Sequence, residues 1–375
     1  MENCIDRRNW LKQSTMALAG LGLTQNVIAR ESKNFTLHQK FSPPGSPILL
    51  NSNENAYGPS PAARKAMLET YLFSNRYPDD YIPLLKQKIA AHWKVGTENI
   101  LLGAGSSEVI GLTCLHVSKT KGRIITTEPS YKVWNNQATA FGLSFKRNPL
   151  PRKDKQDVEM LYGPVTADTA MVYICNPNNP TGTVLDVHEV EQYALATAKK
   201  TTVFIDEAYA EYAQQPTLAA LAISTPNVIV AKTFSKVYGL AGARIGYAIA
   251  HPETIHALRS YQPWPDANVS MVSVNAALAS LDDTAFVQNC IDRANEAKQL
   301  CYDTFKRMGL DYIPSFTNFI LFNIDKIAAR FTEGMKNKNI QVQFRDHYDG
   351  KWCRVTMGTM EEMKTFTAAL QEITS

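Results

Sequence analysis

Lys236 sits in T-F-S-K-V-Y-G-L-A-G-A-R (233–244), a loop of small residues with a hydroxyl on either side of Phe234 and with Arg244 eight residues after the lysine. A lysine that forms a Schiff base needs an uncharged amine and a fixed approach to a carbonyl. A ligand held by a phosphate needs hydroxyls, backbone N–H groups and a guanidinium. Thr233, Ser235 and Arg244 supply the side chains on that list. A carbonyl compound that carries a phosphate satisfies both demands. The cofactor of that description is pyridoxal 5'-phosphate (PLP).

PLP makes further demands, and residues upstream meet each one. Its pyridine nitrogen must stay protonated for the ring to draw electrons, which takes a carboxylate. Asp206 offers one at the end of T-V-F-I-D-E-A-Y, a β-branched run that reads as a buried parallel strand. The phenolic oxygen needs hydrogen-bond partners. Tyr209 follows Asp206 by three residues, and Asn179 lies in C-N-P-N-N-P-T-G, whose prolines and asparagines impose a loop after a strand at 170–175. The phosphate needs a cradle. I-L-L-G-A-G-S-S-E reads as strand, glycine turn and a helix opening near Ser106, which puts Gly105, Ser106 and Ser107 at free N–H groups. Such a turn taken singly is more often structural. Tyr131, in P-S-Y after a strand at 123–128, is placed either to stack on the ring or to fill the core.

These residues fall on loops, so their positions depend on the elements between them. Helical stretches at 61–70 and 81–93 precede strands near 99–103, 123–128, 170–175, 201–206, 227–232 and 244–250. That alternation predicts an α/β fold with a large doubly wound, mostly parallel sheet. Ligands of such sheets collect at the carboxyl ends of the strands, where the loops named above converge. A long helical region runs to about residue 308, broken near its start by Trp264-Pro265. Beyond it, strands at 318–323, 340–344 and 352–357 and a closing helix suit a smaller C-terminal α/β domain. The chain thus divides into a leader (1–29), an N-terminal arm and linker (30–60), a large PLP-binding domain (61–262) and a small domain (263–375).

In order along the chain, L-N-S-N-E-N-A-Y-G-P-S-P (50–61), R-Y-P (76–78), the glycine turn, E-P-S-Y, N-P-N-N-P-T-G, D-E-A-Y, the lysine loop and C-R-V-T-M-G-T (353–359) carry a resemblance. The chain resembles the fold-type I PLP-dependent aminotransferases (class I/II), and most of all the histidinol-phosphate aminotransferases. The resemblance implies that Lys236 carries the cofactor as an aldimine and moves the substrate proton. It implies that Asp206 pairs with the ring nitrogen and that Asn179 and Tyr209 hold the phenolic oxygen. It sets Tyr131 on the ring face, and Arg244, Ser235, Thr233, Gly105, Ser106 and Ser107 on the phosphate. Tyr77 matches a tyrosine that reaches the cofactor phosphate of the neighbouring subunit, which implies a homodimer with shared active sites. Arg354, Asn53, Tyr57 and Arg345 are implied in substrate binding. Arginine suits a carboxylate because it pairs with both oxygens.

Three departures bear on the substrate. Ser107 stands where histidinol-phosphate aminotransferases usually have aspartate, and Ala56 where they have proline after N-E-N. N-I-Q-V-Q puts Gln343 where they often carry an arginine that suits the substrate's phosphate. Arg345 returns to the same strand face two residues on, about 7 Å further along. Losing a charged phosphate contact costs affinity on the order of a few kcal/mol. Arg345 could substitute from there, but the departures together weaken the case for a phosphate-bearing substrate.

D-R-R-N-W-L-K (6–12) precedes an apolar run at 14–23, and V-I-A ends at Ala29. This is the layout of a cleaved signal, and Arg7-Arg8 followed by an aromatic and a leucine is similar to a twin-arginine export signal. An apolar run of about ten residues is half of what spans a bilayer, so no stable membrane insertion is expected. The expected location is the periplasm or cell envelope; a basic leader on a cytoplasmic enzyme is the alternative. The twin-arginine route carries proteins already folded around their cofactors. Export therefore also points away from a housekeeping biosynthetic substrate.

The 375 residues carry a net charge of +4 and are 45% hydrophobic, which suits two well-packed lobes and leaves no basic stripe to mark a nucleic-acid partner. Six cysteines without a C-x-x-C pair and seven histidines without metal spacing indicate neither a disulfide framework nor a metal site. The expected activity is transfer of an amino group between an amino acid or amine and a 2-oxo acid. A PLP-dependent decarboxylase, racemase or lyase is the rival within the class. An exported binding protein without turnover is the rival outside it.

Overall fold

Continuous runs of Val, Ile and Phe demand cover on both faces, and the chain supplies it with one large sheet between helices. The computed structural model describes residues 45–374 except 121, 153–156, 267 and 349. The export-signal reading and residues 30–44 of the arm lie outside these residues. Seven strands pair in the order Ile100–Gly103, Gly246–Ala250, Val228–Thr233, Thr202–Asp206, Thr169–Cys175, Arg123–Glu128, Ser144–Pro149. The last five of these run parallel, and Gly246–Ala250 is antiparallel to both of its neighbours. Every residue of Val228–Thr233, Thr202–Asp206 and Thr169–Cys175 is buried, as a strand covered on both faces requires. Ser144–Pro149, an edge strand of sequence S-F-K-R-N-P, has no apolar run and is not predicted by one.

The helical region expected to reach residue 308 is three helices, Pro252–Arg259, Met271–Asp282 and Thr284–Arg307. Its second break comes from Asp283, whose carboxylate accepts from the Phe286 N–H at 3.2 Å and caps the third helix. Met271–Asp282 packs on the helices Pro61–Thr70 and Tyr81–Trp93. A second, antiparallel sheet has the order Gln343–His347, Gly350–Thr356, Phe319–Asn323, Tyr312–Ile313. Its face packs Phe322 against Phe305, with ring centroids 4.4 Å apart.

The single strand expected at 340–344 is two strands with different partners. Ile340–Gln341 pairs in parallel with Ile48–Leu49 of the arm, and Gln343–His347 joins the four-stranded sheet. The chain changes partner at Val342, which pattern alone does not reveal. The arm continues inward: Thr356 N–H donates to Leu50 O at 2.9 Å, and Asn318 Nδ2 donates to Asn53 O at 3.2 Å. Among the described residues no helix is long and apolar enough to cross a membrane, and no group of three or more His, Cys, Asp or Glu is placed to hold a metal ion.

Candidate active site

The pairing register brings the key loops together. Gly103 lies opposite Gly246, Gly246 opposite Thr233, and Cys175 opposite Asp206, so the strands Ile100–Gly103, Thr169–Cys175, Thr202–Asp206 and Val228–Thr233 finish at one edge of the sheet. A cavity of about 360 Å³ opens there. Lys236, Asp206, Tyr209, Asn179, Tyr131 and Arg244 line it together with Ser106, Ser107, Thr233 and Ser235.

The loop that presents Lys236 is tied down at both ends. Ser235 N–H donates to Thr233 Oγ1 at 3.1 Å, and Gly239 N–H closes a turn on Lys236 O at 3.0 Å. Gly239 has φ +70°, and a Cβ there would stand 2.1 Å from Gly58 O, so the turn admits only glycine. Burial, helped by the charge of Arg354, pushes the Lys236 amine down to about 8. Its Nζ lies 5.5 Å from the centre of the Tyr209 ring. The lowered pKa leaves far more of the amine uncharged than an exposed lysine would have, which is what the sequence calls for.

Asp206 Oδ2 accepts from the Tyr173 hydroxyl at 2.7 Å and Oδ1 from the Ala208 N–H at 3.1 Å. Burial raises its pKa even so, outweighing these two hydrogen bonds and the nearby Lys236 charge. A buried carboxylate facing a cavity fits a ligand that brings a protonated ring nitrogen. The Tyr209 oxygen accepts from Asn53 Nδ2 at 2.9 Å and Asn179 Nδ2 at 3.3 Å. With both lone pairs used, its own O–H remains to donate into the cavity.

The opposite end is built for an anion. Helix Ser106–Ser118 opens after Gly105, whose φ is +84° and whose Cβ, if present, would lie 2.5 Å from Arg244 Nη2. Arg244 reaches across this turn, donating through Nη2 to Ser107 Oγ at 3.0 Å and Ala104 O at 3.2 Å, and through Nη1 to Ala241 O at 3.0 Å. All three acceptors are neutral, so the guanidinium keeps its charge for a ligand. A helix N-terminus, two hydroxyl pairs and an arginine make a phosphate cup. Cup, amine, carboxylate and phenol together fit PLP.

On the other side of the cavity, Arg354 is 7% exposed. It donates through Nη1 to Asn179 Oδ1 at 2.7 Å and through Nη2 to Asn51 O at 2.8 Å, and its buried Nε–H has no partner among the described residues. Gln343, Arg345 and His347 alternate along one strand face and all line the cavity, with Arg345 exposed at the rim. Two expected residues do not reach it. Tyr57 is half-buried beside Arg293 and Cys290, so a single protomer does not bring it to the substrate. Tyr77 is 65% exposed, packed against Trp264 with centroids 4.6 Å apart. Sequence reasoning missed Tyr173, Asn51 and His347. Tyr173 reads as a core aromatic, Asn51 contributes a carbonyl, and the place of His347 depends on strand register.

Comparison with known proteins gives the same picture. The family model for aminotransferases of class I and II matches residues 46–370. A histidinol-phosphate aminotransferase of Halalkalibacterium halodurans is 32% identical, over 87% of this chain and 89% of its own. Histidinol-phosphate aminotransferase 2 of Carboxydothermus hydrogenoformans is 34% identical, over 86% of this chain and 90% of its own. The crystal structure of histidinol-phosphate aminotransferase from Sinorhizobium meliloti in complex with pyridoxal-5'-phosphate superposes with a TM-score of 0.80 at 27% identity, covering 92% of this chain and 98% of that one. The chain belongs to the class I and II aminotransferases and is a PLP-dependent transaminase of fold type I.

Proposed function

We propose that this enzyme takes its amino group from an amino acid or an amine with an anionic end, passes it to a 2-oxo acid, and binds the anion of each substrate with Arg354. The observation that carries this reading is the buried Arg354 guanidinium, which lines the same cavity as Lys236 and keeps an unpartnered Nε–H. A carboxylate satisfies such a group bidentately. PLP, when bound, supplies the electron sink that makes the hydrogen on the substrate's amine-bearing carbon acidic. Lys236, whose amine is easier to deprotonate for its burial, takes that proton and returns it. Asp206 holds a positive charge at the floor of the cavity, and Tyr209 donates a hydrogen bond from its side. Asn179 ties Tyr209 to Arg354, so substrate and cofactor contacts share one amide.

Relatives named for histidinol phosphate make that amine the chief competitor. Gln343 is the cross-strand partner of Arg354, and its neutral amide offers a phosphate less than a guanidinium would. The test is to add single donors to purified holoenzyme and follow the visible band of the cofactor. Amino acids should bleach it and a 2-oxo acid should restore it. If histidinol phosphate bleaches the band while amino acids leave it unchanged, the substrate reading is wrong. A band that never returns with any 2-oxo acid would point instead to a decarboxylase or lyase.

The functional unit in this reading is a homodimer. Leu72, Phe73 and Tyr77, 69%, 57% and 65% exposed and close in sequence, leave apolar surface that a second copy would cover. Full activity in a particle of monomer mass would overturn it. Export through the twin-arginine route is part of the same proposal, supported by Arg7-Arg8 and the apolar run after them. Cell fractionation of the native chain beside an R7K/R8K variant tests it, and identical distribution of the two would end it.

A further inference from the structure

One acid governs the shape of the phosphate cup without facing the cavity. Glu108, in the first turn of Ser106–Ser118, accepts from the Ala104 N–H through Oε2 at 2.6 Å. Its Oε1 accepts from Gln262 Nε2 at 3.2 Å and from Asn268 Nδ2 at 2.5 Å. The same Ala104 peptide unit gives its carbonyl to Arg244 Nη2 at 3.2 Å. Ala104 is thus clamped between the acid behind the cup and the arginine inside it.

Gln262 and Asn268 belong to the stretch between helices Pro252–Arg259 and Met271–Asp282, and that stretch is fastened to the large sheet. Ile100–Gly103 is an edge strand, which leaves backbone groups unpaired. Side chains fill the vacancy: Gln262 Nε2 donates to Leu102 O at 2.9 Å, and Asp266 Oδ1 accepts from Leu102 N–H at 3.0 Å. Gln262 Oε1 accepts from Asp266 N–H at 2.9 Å, and Asp266 Oδ2 pairs with Lys86 at 3.3 Å and Arg259 at 3.4 Å.

We propose that Glu108 is a positioning residue for the cofactor phosphate. It fixes the Ala104–Gly105 turn so that the N–H groups of Ser106 and Ser107 and the Arg244 guanidinium converge on one point. Through Gln262 and Asn268 it makes that convergence depend on Gln262 and Asp266 staying on the sheet edge. By charge alone a carboxylate so near an anion site would weaken anion binding, so charge and geometry predict opposite effects for its removal. The inference rests on the cup being the PLP phosphate site.

The experiment compares apoprotein affinity for PLP and for pyridoxal, which lacks the phosphate. E108A should raise the Kd for PLP about tenfold or more while the Kd for pyridoxal stays within about twofold, the loss of a charge-assisted hydrogen bond read only through the phosphate. N268A, which removes one peripheral bond, should shift the same ratio in the same direction by less. Tighter PLP binding in E108A, an unchanged ratio, or equal loss for both ligands would overturn the proposal. Where E108A does not fold, an unchanged ratio in N268A does so alone. Wild-type protein that fails to prefer PLP over pyridoxal would instead sink the assignment of the cup.

Discussion

The two ends of the cavity are finished to different degrees. At the phosphate end the cup is held in shape by bonds within the chain: Arg244 makes three hydrogen bonds, Thr233 bonds Ser235, and the turn before Ser106–Ser118 is held by Glu108. At the other end Arg354 Nε and His347 Nε2 are buried without partners among the described residues, and the Lys236 amine is held down at about 8. A resident cofactor is gripped best by groups that need no rearrangement. Substrates enter and leave twice per cycle in two different shapes, so donors at that end are completed only by what enters. The difference teaches that this site separates holding from reacting.

The sharpest way to break that division is to remove the reacting group alone. K236A should lose transamination by on the order of a thousandfold or more while retaining PLP noncovalently, measured by single-turnover spectra and cofactor retention on gel filtration. Loss of PLP in parallel would mean that the lysine also does the holding. Next come the two arginines as a pair. R354A should lower kcat/KM for carboxylate substrates by about a hundredfold with PLP affinity unchanged, because a buried charge partner is lost. R244A should do the reverse, weakening PLP and sparing KM, and equal phenotypes for the two would erase the comparison.

Titration offers a smaller but cleaner handle. Folding lowers the Lys236 amine from 10.5 to about 8, so between those values the unfolded chain binds a proton that the native apoprotein does not. Stability of the apoprotein therefore rises with pH through that window, and below it the penalty is full and constant. K236M should flatten the rise in urea midpoints. Lys298 is also pushed down to about 8 by burial, but it stays in the variant and cancels in the difference. The smallest effect belongs to the rim: Q343R should improve kcat/KM for phosphate-ended amines about tenfold at most and leave amino acids unaffected. Improvement for both would show that Gln343 does not select between them.

Lys236, Asp206, Asn179 and Arg244 were legible because each stands within a few residues of the end of a strand, and strands buried on both faces announce themselves by composition. What sequence concealed was whatever depends on a distant partner. Tyr173 lies in an apolar strand and reaches Asp206 only because Cys175 pairs in register with that residue. Glu108 looks like an ordinary first-turn acid until Gln262 and Asn268 arrive at its other oxygen. Ile340–Gln341 and Gln343–His347 read as one strand because nothing in five residues tells that two sheets compete for them.

The arm has a consequence for when the enzyme becomes an enzyme. Asn51 lends its carbonyl to Arg354, Asn53 its amide to Tyr209, and Leu50 its carbonyl to Thr356. Residues near 50 leave the ribosome long before residues 354–356. The phosphate cup, assembled from residues 104–108 and 233–244 with Gln262 and Asn268 behind it, has its parts before residues 354–356 emerge. In the proposed reading, a nascent chain can thus gather the groups of the cofactor cup before Arg354, the proposed substrate arginine, has emerged, and turnover waits until Gly350–Thr356 meets the arm.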